Sequence, residues 1–399
     1  MRKDKLELAY QKVMNYMFDN NFTSFDPYDG LNTNLRFPKK SKFSRLVLIY
    51  FNKFSPLNIR KFLKIQKSRQ LMTLCTIANA IFIFNKPNDR ELEFINQIYE
   101  ELKKTSLKPI YGYHCWDARN FPIQMQDKFT DVNIPGAVGN EIVGTFLINY
   151  YRATGNNEAL NFITNLADLF IDKYFCLRDG FSFFRYKIND TDDKVTLNAS
   201  LKAMAYLIQV SKIKESQAYD DIIIKVMDTV LKLQKEDGRW NYTYFIDKQI
   251  EKKQVDFHQG FILDDLLLFM NKYGYETPYR ESYQKGINFY HKKQFMPDGR
   301  SVYRYPRKWP IDIHNQAQGI ITFTRASKAG FGNHYFKFAC TIAEWTINNM
   351  QDKDGHFHFM KYPFITNKIP YIRWSDANMA YALSILLTAQ KDMFVRSYA

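Results

Sequence analysis

A chain of 399 residues with 56 Lys and Arg against 41 Asp and Glu (formal net charge +15) is 46% hydrophobic and 17% aromatic, enough for a large core. Its 13 prolines and 16 glycines form no linker-like tract, so a length that ordinarily suggests two or three domains is read as one, residues 1–399. Four scattered cysteines, Cys75, Cys115, Cys176 and Cys340, form no CxxC pair, which excludes a disulfide scaffold and a structural zinc site.

The opening stretch, MRKDKLELAYQKVMNYM, is amphipathic and charged and lacks the apolar run of a signal peptide. A helix over residues 4–18 and a cytoplasmic protein with reduced thiols are expected. A turn-rich segment follows, in which Asp26 and Asp29 flank Tyr28. Residues 1–68 then lead into the repeats through a stretch with no acidic residue between Asp29 and Asp89 but with Arg36, Lys39, Lys40, Lys42, Arg45, Lys53, Arg60, Lys61, Lys64, Lys67, Arg69 and Lys86. Apolar residues interleave with these cations. Two readings fit: a solvated basic surface, or a patch over residues 36–69 that rests on anionic lipid at the inner membrane face. No nucleic-acid-binding motif accompanies the charge, so nucleic acid is not an expected partner. The apolar stretch LMTLCTIANAIFIF (71–84) is too short and too polar to span a bilayer and reads as a buried helix paired with the N-terminal one.

Downstream, Asp-Gly turns recur at Asp179, Asp237, Asp298 and Asp354, spaced by 58, 61 and 56 residues. Gly accepts positive φ at no steric cost, so Asp-Gly is a strong turn signal. Before each turn lies an amphipathic helix pattern such as YDDIIIKVMDTVLKLQK; beyond it lies a more uniformly apolar one such as FHQGFILDDLLLFMNKYG. Alternation of one-faced and all-round apolar helices is what an outer and an inner ring require. Six pairs at a period longer than the roughly 34–47 residues of helical solenoids predict an all-α chain closed into a single-domain (α/α)6 toroid, with an open solenoid as the alternative.

Polar residues gather where the apolar helices begin: Asn198, Asp256 with His258, Asp312 with His314, and Arg373-Trp374-Ser375-Asp376. Spacings of 60, 56 and 62 separate Asn198, His258, His314 and Asp376, so a closed ring gathers them at one opening. Single polar residues there are ordinarily caps, but two successive Asp-x-His entries point to a shared site. Asp256 and Asp312 are candidate acid–base carboxylates, as glycosidic cleavage needs, and His258 and His314 are candidate proton-transfer groups. Arg373 would hold a polar or anionic sugar group. Trp116, Trp240, Trp309, Tyr371 and Trp374 are candidate stacking surfaces for sugar rings, with Asp26, Tyr28, Asp29, Asp117, Asn198 and Asp376 as polar partners. No metal or cofactor is expected, since the Asp-x-His entries lack the i, i+4 pairing of helix-borne zinc sites.

Several segments resemble a known family: DPYDGLNTN (26–34), SPLNIRKFL (55–63), YGYHCWDAR (111–119), VDFHQGFILDDL (255–266), WPIDIHNQAQGIITF (309–323), WTINNMQDKDGHFHF (345–359) and IPYIRWSDANMAYAL (369–383). In this order they are similar to the VpsJ-like proteins of exopolysaccharide and capsule biosynthesis. The resemblance implies a six-hairpin glycosidase-like toroid and a role in surface polysaccharide biosynthesis. It implies functional positions at Asp26, Tyr28, Asp29, Asp117, Asn198, Asp256, His258, Asp312, His314, Arg373 and Trp374, but supplies no reaction. The expected function is a carbohydrate-active enzyme of glycoside hydrolase, lyase or epimerase type, acting on an oligo- or polysaccharide or a lipid-linked glycan. The alternative is a non-catalytic glycan-binding scaffold in a membrane-associated synthesis complex.

Overall fold

All-round apolar helices and one-faced helices alternate along the chain, and the fold sorts the two kinds into concentric rings. A computed structural model describes residues 3–35, 41–117, 119–125 and 129–398; Arg36, Lys39 and Lys40 of the basic stretch lie outside the described residues. In chain order the helices are α1 (Lys3–Asp19), α2 (Lys42–Phe54), α3 (Leu71–Phe84), α4 (Asp89–Thr105), α5 (Lys108–Tyr111), α6 (Ala137–Thr154) and α7 (Asn157–Leu169). Then come α8 (Leu197–Lys214), α9 (Asp220–Lys232), α10 (His258–Tyr273), α11 (Thr277–Gln294), α12 (Ile313–Lys328), α13 (Asn333–Met350) and α14 (Ala377–Tyr398).

Helices α3, α6, α8, α10, α12 and α14 pack side by side in that order, and α14 returns to α3, closing an inner ring. The chain is therefore an (α/α)6 toroid. The inner helix α8 buries residues on every side, from Leu197 to Ser211. The outer helix α9 buries only Ile223, Val226, Met227, Thr229 and Val230, one stripe at helical spacing. Each apolar side chain of that stripe contributes about 1.5–3 kcal/mol by leaving water.

Each outer helix packs chiefly on the inner helix that precedes it: α4 on α3, α7 on α6, α9 on α8, α11 on α10 and α13 on α12. The short inner-to-outer connections make these the natural hairpins. The N-terminal helix α1 follows no inner helix and packs on α14, at the other end of the chain, instead of pairing with α3 as the sequence suggested.

The Asp-Gly turns stitch neighbouring repeats together. Gly238 (φ 93°) and Gly355 (φ 105°) lie so close to the next outer helix that a Cβ would sit 2.2 Å from the Lys285 carbonyl oxygen and 2.4 Å from that of Lys12. Upstream glutamines complete each stitch. Gln234 Nε2 donates to the Gly238 and Ser282 carbonyls at 3.0 and 2.9 Å, and Gln351 Nε2 to those of Gly355 and Ala9 at 3.1 and 2.9 Å. Short strands carry the long outer-to-inner loops across one end of the ring. Lys194–Thr196, Thr243–Phe245 and Ile250–Lys252 form one sheet there; Ile311–Asp312, Met360–Lys361 and Thr366–Asn367 form another.

Candidate active site

A hydrogen bond repeated around the ring sets the register of the inner helices. The chain leaving each loop donates a backbone N–H to a polar side chain one turn into the next inner helix. Trp116 N–H reaches Asn140 Oδ1 (2.9 Å), Phe184 N–H reaches Ser200 Oγ (3.0 Å) and Trp240 N–H reaches Gln259 Oε1 (3.1 Å). Ser301 N–H reaches Gln316 Oε1 (2.7 Å) and Phe357 N–H reaches Asp376 Oδ1 (2.6 Å). Two residues before each acceptor stand Val138, Asn198, Phe257, His314 and Trp374, and all five line one cleft of about 1090 Å³ at the ring axis. The sequence spacing aligned Asp376 with His314; the hydrogen bonds put Trp374 there and make Asp376 a buried acceptor outside the cleft lining.

Asp256 and His258 form a dyad at the entry of α10. His258 Nδ1 donates to Asp256 Oδ1 at 2.5 Å, so the imidazole proton sits on Nδ1 and Nε2 is left as the basic nitrogen. Gln254 Nε2 donates to Asp256 Oδ2 at 2.8 Å, and Arg304 Nε lies 3.5 Å from the same oxygen. Burial alone would push the Asp256 carboxyl up, but His258 and Arg304 hold it down at about 2. With both oxygens engaged, Asp256 orients its histidine.

Asp312 caps α12, its Oδ1 accepting the His314 N–H at 3.0 Å and the Trp374 indole N–H at 3.2 Å. Burial pushes its carboxyl up to about 6, against the pull of the His314 amide and of Lys53. His314 is pushed down to about 3 by burial, with His258 and Arg373 adding to the effect, so its imidazole is neutral. Rings continue along the wall: Tyr242 on His258 (4.6 Å between centroids), Phe257 stacked on His314 (4.2 Å), His314 against Trp374 (4.9 Å) and Trp374 against Tyr28 (5.5 Å).

A π-helical turn, Ile372–Asp376, opens α14 and delivers Arg373 and Trp374 to the cleft. Arg373 is gripped by Asp26, its Nη2 donating to Oδ1 at 2.9 Å and its Nε to Oδ2. Asp26 is fully buried beneath it and also accepts from the Tyr28 amide and from Gln70. Deeper in the ring, Lys202 pairs with Asp265 (3.0 Å) and Arg325 with Asp264 (2.8 Å).

Of the residues singled out in the sequence, Asp256, His258, Asp312, His314, Tyr28, Asp117, Asn198, Arg373 and Trp374 line the cleft. Asp117 accepts the Arg119 amide at 3.1 Å, and the buried Oδ1 of Asn198 has no partner among the described residues. Others stand elsewhere. Trp116 and Trp240 are core residues whose indoles donate to the Leu102 and Val230 carbonyls at 2.8 and 2.9 Å. Trp309 lies under Arg300 of its turn, and Tyr371 is buried against Arg60 and Phe359. Asp29 is buried in an ion pair with Arg60 (2.9 Å) and Asp26 works behind Arg373, so both act from outside the cleft lining.

Lys53 is a cleft residue that its sequence context does not announce. Counted there as surface charge, it is buried at the cleft with Nζ donating to Tyr28 Oη at 2.5 Å, and burial pushes its ammonium down. Tyr186, Tyr242, Tyr303 and Arg304 also line the cleft unannounced. Their loops contain Tyr and Arg both inside and outside the cleft, so residue type alone offered no signal.

The ring and its axial cleft place the chain among (α/α)6 toroids. It is similar in structure to a D-mannose isomerase (15% identity, 98% of each chain, TM-score 0.66). It is also similar to the cellobiose 2-epimerase of Bacillus thermoamylovorans B4167 (14% identity, 80% of this chain and 87% of that one, TM-score 0.62). A third likeness is to a glycoside hydrolase family 76 α-mannanase of Bacteroides thetaiotaomicron (12% identity, 81% and 86%, TM-score 0.64). No family model and no curated protein matches the sequence.

Proposed function

We propose that the chain is a carbohydrate-active enzyme that moves a carbon-bound proton beside a sugar carbonyl or carboxylate, the step shared by epimerases, isomerases and lyases. The observation that carries this reading is the Asp256–His258 dyad: a buried carboxylate fixes the imidazole so that Nε2 serves as general base. A glycosidase would need two free carboxylates across the scissile bond, and both oxygens of Asp256 are engaged. Asp312, ionising near 6, supplies the proton that is returned. The neutral His314 donates a hydrogen bond to the oxygen on which charge develops.

The aromatic wall from Tyr242 to Tyr28 suits the C–H faces of sugar rings. Twelve Lys and Arg against seven Asp and Glu line the cleft, which favours an anionic sugar such as a uronate or a phosphorylated sugar. Sugar-transforming enzymes among the structural neighbours support the chemistry, and the VpsJ-like motifs support exopolysaccharide or capsule biosynthesis as its setting. Incubation with candidate sugars and glycans in D2O is the test. Deuterium should enter one C–H position, and His258→Asn should slow that exchange by about 10²- to 10⁴-fold. Bond cleavage by water without exchange, or binding without turnover, would overturn the reading.

A further inference from the structure

Helix α2 has two unlike faces. Leu48, Ile49, Asn52 and Lys53 are buried, on the side that meets the Asp29–Leu31 turn and Ile123. On the opposite side Phe43, Val47 and Phe51, each four residues apart, stand 77%, 50% and 50% exposed. Exposed apolar residues continue past the helix with Leu57 (69%) and Phe62 (84%).

The hairpin around Phe364 joins the same surface. Tyr362 Oη donates to the Phe54 carbonyl at 3.3 Å and Asn367 Nδ2 to the Ser55 carbonyl at 3.0 Å, holding the hairpin against the end of α2. At its tip Phe364 is completely exposed and Ile365 half-exposed. Exposed Lys42, Lys61, Lys64 and Lys67 interleave with Phe43, Phe51, Leu57 and Phe62 along the chain, and the sequence has no acid between Asp29 and Asp89 to balance them.

We propose that this face docks on an anionic phospholipid bilayer, with the aromatic side chains in the headgroup layer and the lysines on lipid phosphates. Charge complementarity selects this occupant. Exposed aromatics interspersed with lysine along a stretch without acid match an interfacial surface, where apolar tips enter the boundary layer and ammonium groups stay with the headgroups. The contact is peripheral: among the described residues no helix is long and apolar enough to cross a membrane.

Helix α2 also ties this face to the cleft, because Lys53 on its inner side reaches Tyr28. Docking therefore brings the cleft wall within one helix diameter, about 10 Å, of the bilayer, which, resting on the function proposed above, suits a glycan still attached to a lipid anchor.

Vesicle flotation of the full chain tests the docking without reference to activity. Phosphatidylcholine vesicles containing phosphatidylglycerol should carry the protein at low salt, and pure phosphatidylcholine should not. Lys61→Gln/Lys64→Gln/Lys67→Gln should weaken binding by about fivefold per lysine. Phe43→Ser/Phe62→Ser/Phe364→Ser should abolish flotation while leaving the circular dichroism spectrum and Tm unchanged, since all three side chains are exposed. Three results would overturn the proposal: no flotation of the wild type, equal flotation on both lipids, or undiminished flotation of both variants. So would wild-type self-association in sedimentation velocity that the Phe variant abolishes, without any vesicle binding, since the face would then serve a second copy of the chain.

Discussion

Asp26 and Arg373 lie 347 residues apart in sequence and meet in a two-pronged ion pair at the rim of the cleft. The N-terminal loop thus positions a side chain delivered by the last inner helix. Compensated in this way, Arg373 is a fixed donor at the cleft more than an unpaired positive charge.

Removing one partner should expose that dependence. Asp26→Ala leaves a guanidinium without its counter-ion and should cost about 3–5 kcal/mol in urea unfolding. Arg373→Met in the same background should restore much of that stability without restoring activity. A double variant no more stable than Asp26→Ala would contradict the pairing.

The two carboxylates should give opposite pH signatures. Asp312 ionises near 6 in the folded chain against 3.8 ordinarily, so its favourable contribution is full below about pH 4 and is lost as pH rises through 6. Asp312→Asn should therefore gain on the wild type across that window, by about 3 kcal/mol at the top of it. Asp256, held near 2, contributes above pH 3.8, and that contribution fades as pH falls toward 2. Unfolding free energies of wild type, Asp312→Asn and Asp256→Asn from about pH 2 to about pH 7 separate the two.

Two tryptophans provide a contrast between packing and site. Trp240→Phe removes the indole bond to Val230 inside the core and should lower stability by about 1–2 kcal/mol with kcat and KM little changed. Trp374→Phe removes the indole N–H from Asp312 and should shift the alkaline limb of the pH–rate profile, where the proton donor is lost, to higher pH. Equal kinetic effects would mean that the cleft is not where the chemistry occurs.

Gly355 offers a test of ring closure. Gly355→Ala places a methyl group 2.4 Å from the Lys12 carbonyl and should cost more than about 3 kcal/mol. Gly112→Ala, also at positive φ (78°) but with nothing within 4 Å, should cost only about 1 kcal/mol. Thermal unfolding of the two variants reads the difference.

Much of this was visible in the sequence because it is periodic. Asp-Gly turns and alternating helix types disclosed the toroid, since each repeat must solve the same packing problem. The Asp-x-His entries disclosed His258 and His314, although His314 alone falls on the register and Phe257 holds the equivalent place on α10. Three things escaped. Asp376 was misaligned by two residues because a polar residue at a helix start looks alike whether it faces the axis or accepts a backbone N–H. Trp116 and Trp240 look like sugar platforms in sequence, but an indole beside a tight turn also fills the space between helices. Lys53 was hidden by its neighbours, for nothing in a run of cations tells which one folds inward.

Closure of the ring through α1 and α14 bears on how the chain is made. A ribosome releases α1 well before α14, and at about 5–20 residues per second the interval is tens of seconds. Through that interval Leu6, Ala9, Tyr10, Val13, Met14 and Met17, the stripe that α1 buries in the finished ring, have no α14 to cover them. Helix α1 is thus made well before the helix it packs on, and its apolar stripe needs protection from neighbouring chains throughout that interval.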